Sequence, residues 1–576
     1  MRREKIWGWR LLLSFCMVTG MFAGNVMTAS PAAAALQNCN AAFLSGLLVG
    51  NVSITSATDV PAANGVPEYC QVVAAVTTNG DGAGLGLANI RLRLPATWNN
   101  RFLFLGCGGE CGSITSVSAE AVDQNEALPQ GYAVVNTDTG HTDPTNAWTL
   151  ITTGVPNTPA LTDFYYRAVH QTTAAAKKLV EGYYKGKGRI QHAYFDGCST
   201  GGRQALMEAD RYPEDFDGII AGDPVMAFPE TLLGHLHGLK IFAPAANYLP
   251  ASALQAIDAA VKANCDAADG VADGLAQNPA ACSFDPNSLV KAGTLTQAQA
   301  NAFKAYLGPI KDSRGNLVFP GYSETDLATV AFLGTWTEEA CPAIPGSGVN
   351  PWSGETAPGC SPNGPSGLGF SQPLIANITE LNPNFDVWDN FPFNNDVVSE
   401  AGLKALRNTI GVGSSDQPKD ARKFLKRGGK LIMYHGFSDP SVSPYQSIWF
   451  YHGLARLEGG IEKLQQSARL FMVPGMGHCS GGPGPNTFDT LGALDAWVSR
   501  DVPPDGIVAT NTSTGRTMPL CKYPEMASYV GTNVNDAGSW VCKPSDKRMR
   551  EIGLDGRLAH VHAFPDPDEL GPKNGK

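Results

Sequence analysis

The chain has 576 residues, which is long enough to bury at least one large core and to form two domains. Charged residues make up only 16% of it, whereas glycine (64) and proline (40) are numerous, a composition typical of a compact, loop-rich secreted protein rather than a disordered one. The net charge of −11 argues against nucleic acid or an anionic membrane surface as a partner.

Residues 1–35 have the pattern of a secretory signal peptide. Basic residues precede an apolar stretch from Leu11 to Ala23, and a run of small residues ends at Ala35. A membrane anchor is the alternative, but the apolar stretch is too short to span a bilayer comfortably. We therefore expect a secreted or periplasmic protein with no membrane attachment after removal of the signal.

The cysteines predict a disulfide framework. Cys16 lies in the predicted signal peptide, and the other 12 of the 13 cysteines form an even set, as is typical of exported proteins. Proximity in sequence suggests the pairs Cys39–Cys70, Cys107–Cys111, Cys265–Cys282, Cys341–Cys360 and Cys521–Cys542. Cys198 and Cys479 are left without a close neighbour in sequence.

Strands and helices alternate along residues 36–224. The predicted elements are the strands 102–105, 132–136, 193–195 and 218–223 and the helix 164–183. Alternation with short connections predicts a mostly parallel sheet.

Residues 225–421 interrupt this alternation, because they are rich in proline, glycine, asparagine and aromatic residues. The alternation resumes with strands at 428–434 and 469–473, so we expect the middle segment to be a lid domain inserted between two strands. It would lie over the carboxyl ends of the strands, where such sheets bind ligands. The catalytic domain then continues through residues 422–543, and residues 544–576 resemble a polar, loosely ordered tail.

Three motifs follow predicted strands in an order that predicts an α/β-hydrolase fold. The segment Gly197–Gly201 fits G-x-S-x-G, whose glycines permit the sharp turn that presents a nucleophile, here Ser199. Asp439 follows the predicted strand 428–434 and His478 follows the predicted strand 469–473, and the order Ser, Asp, His is the one this fold uses. We expect Ser199 to be the nucleophile, His478 the general base and Asp439 the orienting acid.

Other residues compete for these roles. Asp223 also follows a strand end, but that strand comes directly after the nucleophile, a less common place for the acid. His435 lies near Asp439 and is expected to shape the loop that carries the acid. His235 and His237 suggest a metal site only weakly, since no further ligands accompany them.

The oxyanion hole is expected to use backbone N–H groups. One belongs to Thr200, next to the nucleophile, and the second to Gly108 or Gly109 in the glycine-rich loop after strand 102–105.

Cys198 precedes Ser199 and Cys479 follows His478, so a bond between them would clamp the nucleophile to its base. The chain-entropy model gives roughly 5–6 kcal/mol as an upper bound for closing so long a loop. The more specific effect is positional, because misplacement near the reacting groups is costly.

Residues 266–274 hold three aspartates in a tight turn between Cys265 and Cys282. Hard oxygen ligands at short spacing favour calcium with a structural role, although the spacing is not that of an EF-hand. A solvated acidic turn is the alternative.

At these residues the chain resembles the tannase/feruloyl esterase family, over nearly all of the mature chain. The resemblance rests on Cys198-Ser199, Asp439 and His478-Cys479, and on the C-terminal stretch 519–524. It implies a serine–aspartate–histidine triad with adjacent bonded cysteines. It also implies a calcium site made by the side chains of Asp266, Asp269 and Asp273 and the backbone carbonyls of Val271 and Leu275. The pair Cys107–Cys111 is not a general feature of the family.

The family implies esters of aromatic acids: gallate, hydroxycinnamates such as ferulate, or terephthalate monoesters. No lysine or arginine lies between Arg314 and Lys404, so this stretch of the lid cannot supply the arginine fork that a substrate carboxylate would require. We therefore expect an uncharged aromatic acyl group held by aromatic residues of the lid. The alternative is a terephthalate monoester hydrolase of the same family.

Two other classes of function stay open at this point. A peptidase on the same fold uses the same triad. A non-catalytic calcium-stabilised binding protein is disfavoured, because it has no need of Ser, Asp and His in that order at strand ends. The sequence leaves the alcohol half of the substrate and the oligomeric state open.

Overall fold

The computed structural model describes residues 36–330 and 366–544, apart from residues 37, 48, 116–126, 144–145, 243, 280–281, 283 and 395. The predicted signal peptide, the predicted polar tail and the predicted pair Cys341–Cys360 lie outside the described residues.

A nine-stranded sheet forms the centre of the molecule, in the order β1-β2-β3-β5-β4-β8-β9-β14-β15. The strands in chain order are β1 Val52–Val60, β2 Tyr69–Thr78, β3 Gly86–Pro95, β4 Arg101–Leu105, β5 Ala133–Thr137, β6 Leu150–Thr152, β7 Val155–Pro156, β8 His192–Cys198, β9 Gly218–Gly222, β10 Ile310–Asp312, β11 Leu317–Phe319, β12 Phe393–Asn394, β13 Val397–Val398, β14 Lys430–Gly436, β15 Ala468–Val473, β16 Thr487–Phe488, β17 Gly506–Thr510, β18 Thr517–Cys521, β19 Glu525–Tyr529 and β20 Trp540–Pro544.

The sheet has a parallel part and an antiparallel part. Strands β5, β4, β8, β9, β14 and β15 are parallel to one another, as the sequence predicts. Strands β1, β2 and β3 form an antiparallel meander instead of continuing the predicted alternation of strands and helices. In β2 nearly every second residue is buried, the pattern of a strand with one covered face, whereas β5, β9 and β15 are buried throughout.

Helices cover both faces of the sheet. One face packs on helices 168–183, 200–211 and 444–458, and the other on helix 490–500 through Leu491, Leu494 and Trp497. The α-helices are Ala41–Ser45, Thr158–Thr162, Ala168–Tyr183, Thr200–Arg211, Phe228–Phe242, Ala251–Cys265, Asn287–Lys291, Gln297–Leu307, Ser366–Leu374, Val387–Asn390, Glu400–Thr409, Arg422–Lys426, Pro444–Glu458, Ile461–Leu464 and Thr490–Arg500. Short 3-10 helices occur at Ala147–Thr149, Ala245–Asn247, Asp266–Asp269, Ile410–Gly413 and Ala537–Ser539, and π-helical turns at Asp163–Arg167 and Ile375–Thr379.

The chain between β9 and β14 is a large insertion. Its described residues contain several helices and a small four-stranded sheet in the order β11-β10-β13-β12. Its apolar cluster is continuous with Trp148, Phe164 and Tyr165 of the main domain, so the insertion packs onto that domain.

Arg203 is a buried residue that stabilises the contact between the insertion and the main domain. The guanidinium group is completely buried and donates to the carbonyl oxygens of Tyr165 (3.2 Å), Gly413 (3.0 Å) and Phe164 (3.3 Å). It therefore joins the helix that follows Ser199 to the end of the insertion.

The described residues contain five disulfide bonds: Cys39–Cys70, Cys107–Cys111, Cys198–Cys479, Cys265–Cys282 and Cys521–Cys542. Each was expected from the sequence. Among the residues described, no helix has the length and apolar character needed to cross a membrane.

Candidate active site

Ser199 stands on a strained turn between β8 and helix 200–211. Its backbone angles are φ 62° and ψ −122°, a conformation that side-chain-bearing residues rarely adopt. A Cβ on Gly197 would lie 2.7 Å from the carbonyl group of Gly201, which is why the motif requires a glycine at position 197. The turn lifts the hydroxyl above the carboxyl end of the sheet.

The three predicted residues form one hydrogen-bonded chain. The hydroxyl of Ser199 donates to Nε2 of His478 over 2.8 Å. Nδ1–H of His478 donates to Oδ2 of Asp439 over 2.6 Å. Such a chain can pass the proton of the serine to the imidazole while the carboxylate holds the ring in the required tautomer.

Asp439 is buried and fixed from several sides. Its Oδ1 accepts the backbone N–H groups of Ser441 (2.7 Å) and Val442 (2.9 Å). Nε2 of His435 lies 3.3 Å from its Oδ2, and Nδ1 of the same ring bonds to the hydroxyl of Ser447. Burial alone would raise the pKa of Asp439, but His478 and His435 outweigh burial, so the pKa lies below its ordinary value.

Asp223, the competing acid, contacts the site differently. Its Oδ1 accepts the backbone N–H of Gly436 over 2.8 Å, and its Oδ2 accepts the backbone N–H of Cys479. Burial raises the pKa of Asp223 above its ordinary value, although the nearby His435 opposes that rise. Asp223 therefore ties the end of β14 to the loop of His478.

The bond Cys198–Cys479 connects the residues next to Ser199 and His478. Its Cα atoms are 6.1 Å apart, and it joins positions separated by 281 residues. Cys479 has φ 63°, so the histidine loop makes a tight turn where the bond attaches.

The glycine-rich loop lies against the helix that begins after Ser199. The hydroxyl of Thr200 donates to the carbonyl oxygen of Gly109 over 2.6 Å. Thr200 is the first residue of its helix, where backbone N–H groups have no intrahelical partner. The structure thus places Gly109 beside Thr200, the residue that follows Ser199.

His235 and His237 do not converge on one point. Nε2 of His235 bonds to the carbonyl oxygen of Ser441 (2.9 Å), and Nε2 of His237 to that of Ala305 (3.1 Å). Burial lowers the pKa of His235 to about 4, so its ring is neutral at pH 7. Neither belongs to a group of three potential metal ligands within the described parts of the chain.

The acidic turn folds around its own aspartates. Asp266 accepts the N–H groups of Asp273 and Gly274, each over 2.8 Å. Asp269 accepts the N–H of Gln277 over 3.0 Å through Oδ2. Oδ2 of Asp273 pairs with Arg516, a partner that the sequence did not indicate because it lies 243 residues away.

The comparisons with known proteins agree with this geometry. A family model described as tannase and feruloyl esterase matches residues 70–543. The chain is 31% identical over 539 residues to mono(2-hydroxyethyl) terephthalate hydrolase of Piscinibacter sakaiensis, covering 83% of this chain and 85% of that one. It is also 31% identical over 483 residues to a probable feruloyl esterase of Arthroderma benhamiae, covering 79% and 82%.

A solved structure supports the fold assignment. The crystal structure of feruloyl esterase B from Aspergillus oryzae superposes with a TM-score of 0.73 at 23% identity, covering 88% of this chain and all (100%) of that one. The predicted α/β-hydrolase fold class is confirmed. With the family model matching most of the chain, this protein belongs to the tannase and feruloyl esterase family and is a carboxylic ester hydrolase.

Proposed function

We propose that this protein is an exported serine esterase that hydrolyses esters of uncharged aromatic acids of the hydroxycinnamic or gallic type. Ser199 is the nucleophile, His478 the general base and Asp439 the orienting acid. The observation that carries the proposal is the hydrogen-bonded chain from Ser199 through His478 to Asp439, with steps of 2.8 and 2.6 Å.

In the first half of the reaction, Oγ of Ser199 attacks the carbonyl carbon of the ester, and its proton moves to Nε2 of His478. The electron pair of the C=O double bond moves to oxygen, which the N–H groups of Thr200 and of Gly108 or Gly109 stabilise. When the double bond re-forms, the bond to the alcohol oxygen breaks, and that oxygen takes the proton from His478.

The second half repeats these steps with water. His478 accepts a proton from water, and the hydroxyl oxygen attacks the carbonyl carbon of the acyl-enzyme. The bond from that carbon to Oγ of Ser199 breaks, His478 returns the proton to Oγ, and the free acid leaves. Asp439, negatively charged throughout, stabilises the imidazolium that forms in both halves.

We propose that residues 225–421 act as a lid over this site. Two contacts support this role. The ring of Phe370 lies 3.8 Å from the position of a Cβ on Gly109, and Val330 lies 3.0 Å from that of a Cβ on Gly477, so the insertion reaches both the glycine-rich loop and the histidine loop.

The lack of basic residues in part of the lid sequence supports the proposal that the acyl group of the substrate is uncharged. No lysine or arginine lies between Arg314 and Lys404. Arg407, the first arginine after this stretch, donates to Glu230 over 2.8 Å and is therefore already paired. A terephthalate monoester hydrolase is the second candidate, because one relative with that activity is 31% identical to this chain.

The kinetics of a small substrate panel separate these candidates. We expect kcat/KM for methyl ferulate or methyl gallate to exceed that for a terephthalate monoester by at least about 10-fold, since an unpaired carboxylate is costly to bury. Ser199→Ala should abolish turnover of every ester in the panel. A terephthalate monoester as the best substrate would overturn the proposed acyl preference while leaving the serine esterase intact.

We also propose that the acidic turn binds Ca²⁺ through Asp266, Asp269, Asp273 and the backbone carbonyls of Val271 and Leu275. Oδ1 of Asp269 is buried and, among the described residues, has no hydrogen-bond partner. Burial, with Asp273 and Asp266 nearby, raises the pKa of Asp269 to about 7, so a positive charge beside Asp269 would favour its ionised form. Each carboxylate oxygen can accept a second contact, which fits a cation. The ion would supply that charge and stabilise the turn.

Export is the third part of the proposal. It is supported by five disulfide bonds, which form and persist in oxidising compartments. The predicted signal peptide, residues 1–35, supports the same location.

A further inference from the structure

The glycine-rich loop is closed by a disulfide bond of its own. Cys107 and Cys111 flank Gly108 and Gly109, whose N–H groups are the candidates for the oxyanion hole. The chain-entropy model assigns the least stabilisation to the shortest loops, and this bond spans a separation of only 4 residues. Stabilising the whole fold is therefore not its main effect, and what it restricts is the shape of this loop.

Gln204 holds the same loop from the helix that follows Ser199. Its Oε1 accepts the backbone N–H of Cys107 over 3.2 Å, and its Nε2 donates toward the sulfur atoms of Cys107 (3.1 Å) and Cys111 (3.5 Å). The side chain is only 2% exposed. Both the oxygen and the nitrogen of the amide thus contact the disulfide-closed loop.

Thr200 supplies a second attachment point on that helix. Its hydroxyl donates to the carbonyl oxygen of Gly109 over 2.6 Å. At the start of the loop, Gly106 donates its N–H to the backbone carbonyl oxygen of Asp196 in β8 over 2.8 Å. The loop also lies close to the helix, because a Cβ on Gly106 would be 2.7 Å from the Cα of Gly201. The loop is therefore attached to the two elements that carry Ser199.

We propose that the disulfide Cys107–Cys111, seated on Gln204 and on the hydroxyl of Thr200, positions the N–H groups of Gly108 and Gly109 for the oxyanion. Gln204 is a positioning residue, because it acts through the loop and does not touch the substrate. The inference rests on the proposed function. An oxyanion forms only in the tetrahedral state, so a displaced loop lowers kcat while KM changes little.

The test uses the full-length protein with methyl ferulate as substrate. Gln204→Met removes all three amide contacts and keeps the side-chain volume. Thr200→Val removes the hydroxyl and keeps the backbone N–H, and Cys107→Ser/Cys111→Ser opens the loop. We expect each to lower kcat by about 10- to 100-fold with KM within about twofold. Thr200→Ser, which keeps the hydroxyl, should retain kcat within about threefold of the wild type.

The controls remove equivalent groups elsewhere. Gln465→Met removes a glutamine whose Nε2 donates to the carbonyl oxygen of Tyr523 over 3.0 Å, at the end of β15 remote from His478. Cys521→Ser/Cys542→Ser opens a different local disulfide. Both should leave kcat within about twofold of the wild type, because neither contacts the elements that carry Ser199. Circular dichroism confirms that each variant is folded.

An inhibitor separates positioning from a general loss of structure. An aryl trifluoromethyl ketone adds to the serine hydroxyl and forms an oxyanion that mimics the tetrahedral state. Its Ki should rise in parallel with the fall of kcat/KM across the Gln204, Thr200 and cysteine variants. A fall in kcat without a rise in Ki, or an unchanged kcat, would overturn the inference.

A fluorophosphonate probe distinguishes this failure from failure of the proposed function. If the wild type is labelled at Ser199 but the variants react and turn over equally well, only the role of the loop is refuted. If the wild type is not labelled at Ser199, the serine mechanism itself is refuted, and the inference falls with it.

Discussion

Hydrogen bonds fix the carboxylate of Asp439 in a position from which it orients the ring of His478. It accepts the backbone N–H groups of Ser441 and Val442 through one oxygen and the N–H of His478 through the other. These bonds keep the carboxylate charged in a buried position, and they fix the tautomer in which Nε2 of His478 can accept the proton of Ser199.

Asp439→Asn should therefore remove most of the activity while leaving the fold in place. An amide cannot hold the same tautomer of His478, and we expect kcat for methyl ferulate to fall by about 10³- to 10⁴-fold at pH 7. The matched variant Asp223→Asn alters an acid that accepts the backbone N–H groups of Gly436 and Cys479, and it should cost less than Asp439→Asn. Equal losses in the two variants would contradict the division of roles between these acids.

The same substitution has a consequence for stability. The pKa of Asp439 is lower in the folded protein than in the unfolded chain, where it is about 4. Its contribution to the free energy of unfolding is thus present above pH 4 and is lost as the pH falls through the folded pKa. Urea unfolding should show a larger deficit for Asp439→Asn at pH 7 than at pH 3, and a deficit that does not depend on pH would contradict the expectation.

Residues that belong to a sequence motif could be predicted from the sequence. Residues whose roles depend on contacts between distant segments of the chain could not. Ser199, Asp439 and His478 each follow an apolar strand within a recognisable pattern. The anchoring role of Asp223 depends on how close the end of β14 comes to the histidine loop, and the pairing of Asp273 with Arg516 depends on two segments 243 residues apart. No local sequence pattern indicates which distant segments of the chain come into contact in the fold.

At the scale of elements, the site is an assembly of three strand ends held by one bond. Strands β8, β14 and β15 lead to Ser199, Asp439 and His478, the proposed nucleophile, acid and base, and Cys198–Cys479 joins the first of these strand ends to the last. Because Cys198 adjoins Ser199 and Cys479 adjoins His478, loss of this bond should affect activity as well as stability. Loss of a disulfide far from these residues should affect stability alone.

Cys198→Ala/Cys479→Ala should lower both kcat and thermal stability. We expect kcat to fall by about 10- to 100-fold, since small displacements between nucleophile and base are costly. The control Cys39→Ala/Cys70→Ala opens a bond at the other edge of the sheet and should lower the melting temperature without a comparable loss of kcat. Similar kcat values for the two double variants would show that the clamp does not position the site.

The parallel strands and the position of the insertion could be predicted from the sequence, whereas the helices inside the insertion could not. Strands β4, β5, β8, β9, β14 and β15 are short apolar runs bounded by glycine or polar residues, which is how buried parallel strands look in sequence. Helix 228–242 has every residue except Lys240 buried, so it lacks the one-sided apolar pattern that reveals a surface helix.

At the scale of the whole molecule, the insertion and the main domain share one apolar cluster, and Arg203 lies at their junction. The acidic turn is part of the insertion but pairs with Arg516 of the main domain through Asp273. A cation bound in the turn, as proposed, would therefore stabilise a connection between the two parts of the molecule and not the turn alone.

Removal of calcium should lower the stability of the entire chain. Binding to the folded state alone contributes about 2.7 kcal/mol when the free ion is at 100 times its Kd. We expect chelation to lower the melting temperature by a few degrees and Asp269→Asn to abolish the effect of added Ca²⁺. An identical melting temperature with excess Ca²⁺ and with chelator would contradict a structural calcium site.

The most direct test of the account is to trap the covalent intermediate. The wild type and Ser199→Ala are quenched in acid during turnover of methyl ferulate, and their peptides are analysed by mass spectrometry. We expect a feruloyl group on Ser199 in the wild type and neither a modified peptide nor turnover in Ser199→Ala. Hydrolysis by Ser199→Ala at the wild-type rate, or an acyl group on a different residue, would contradict it.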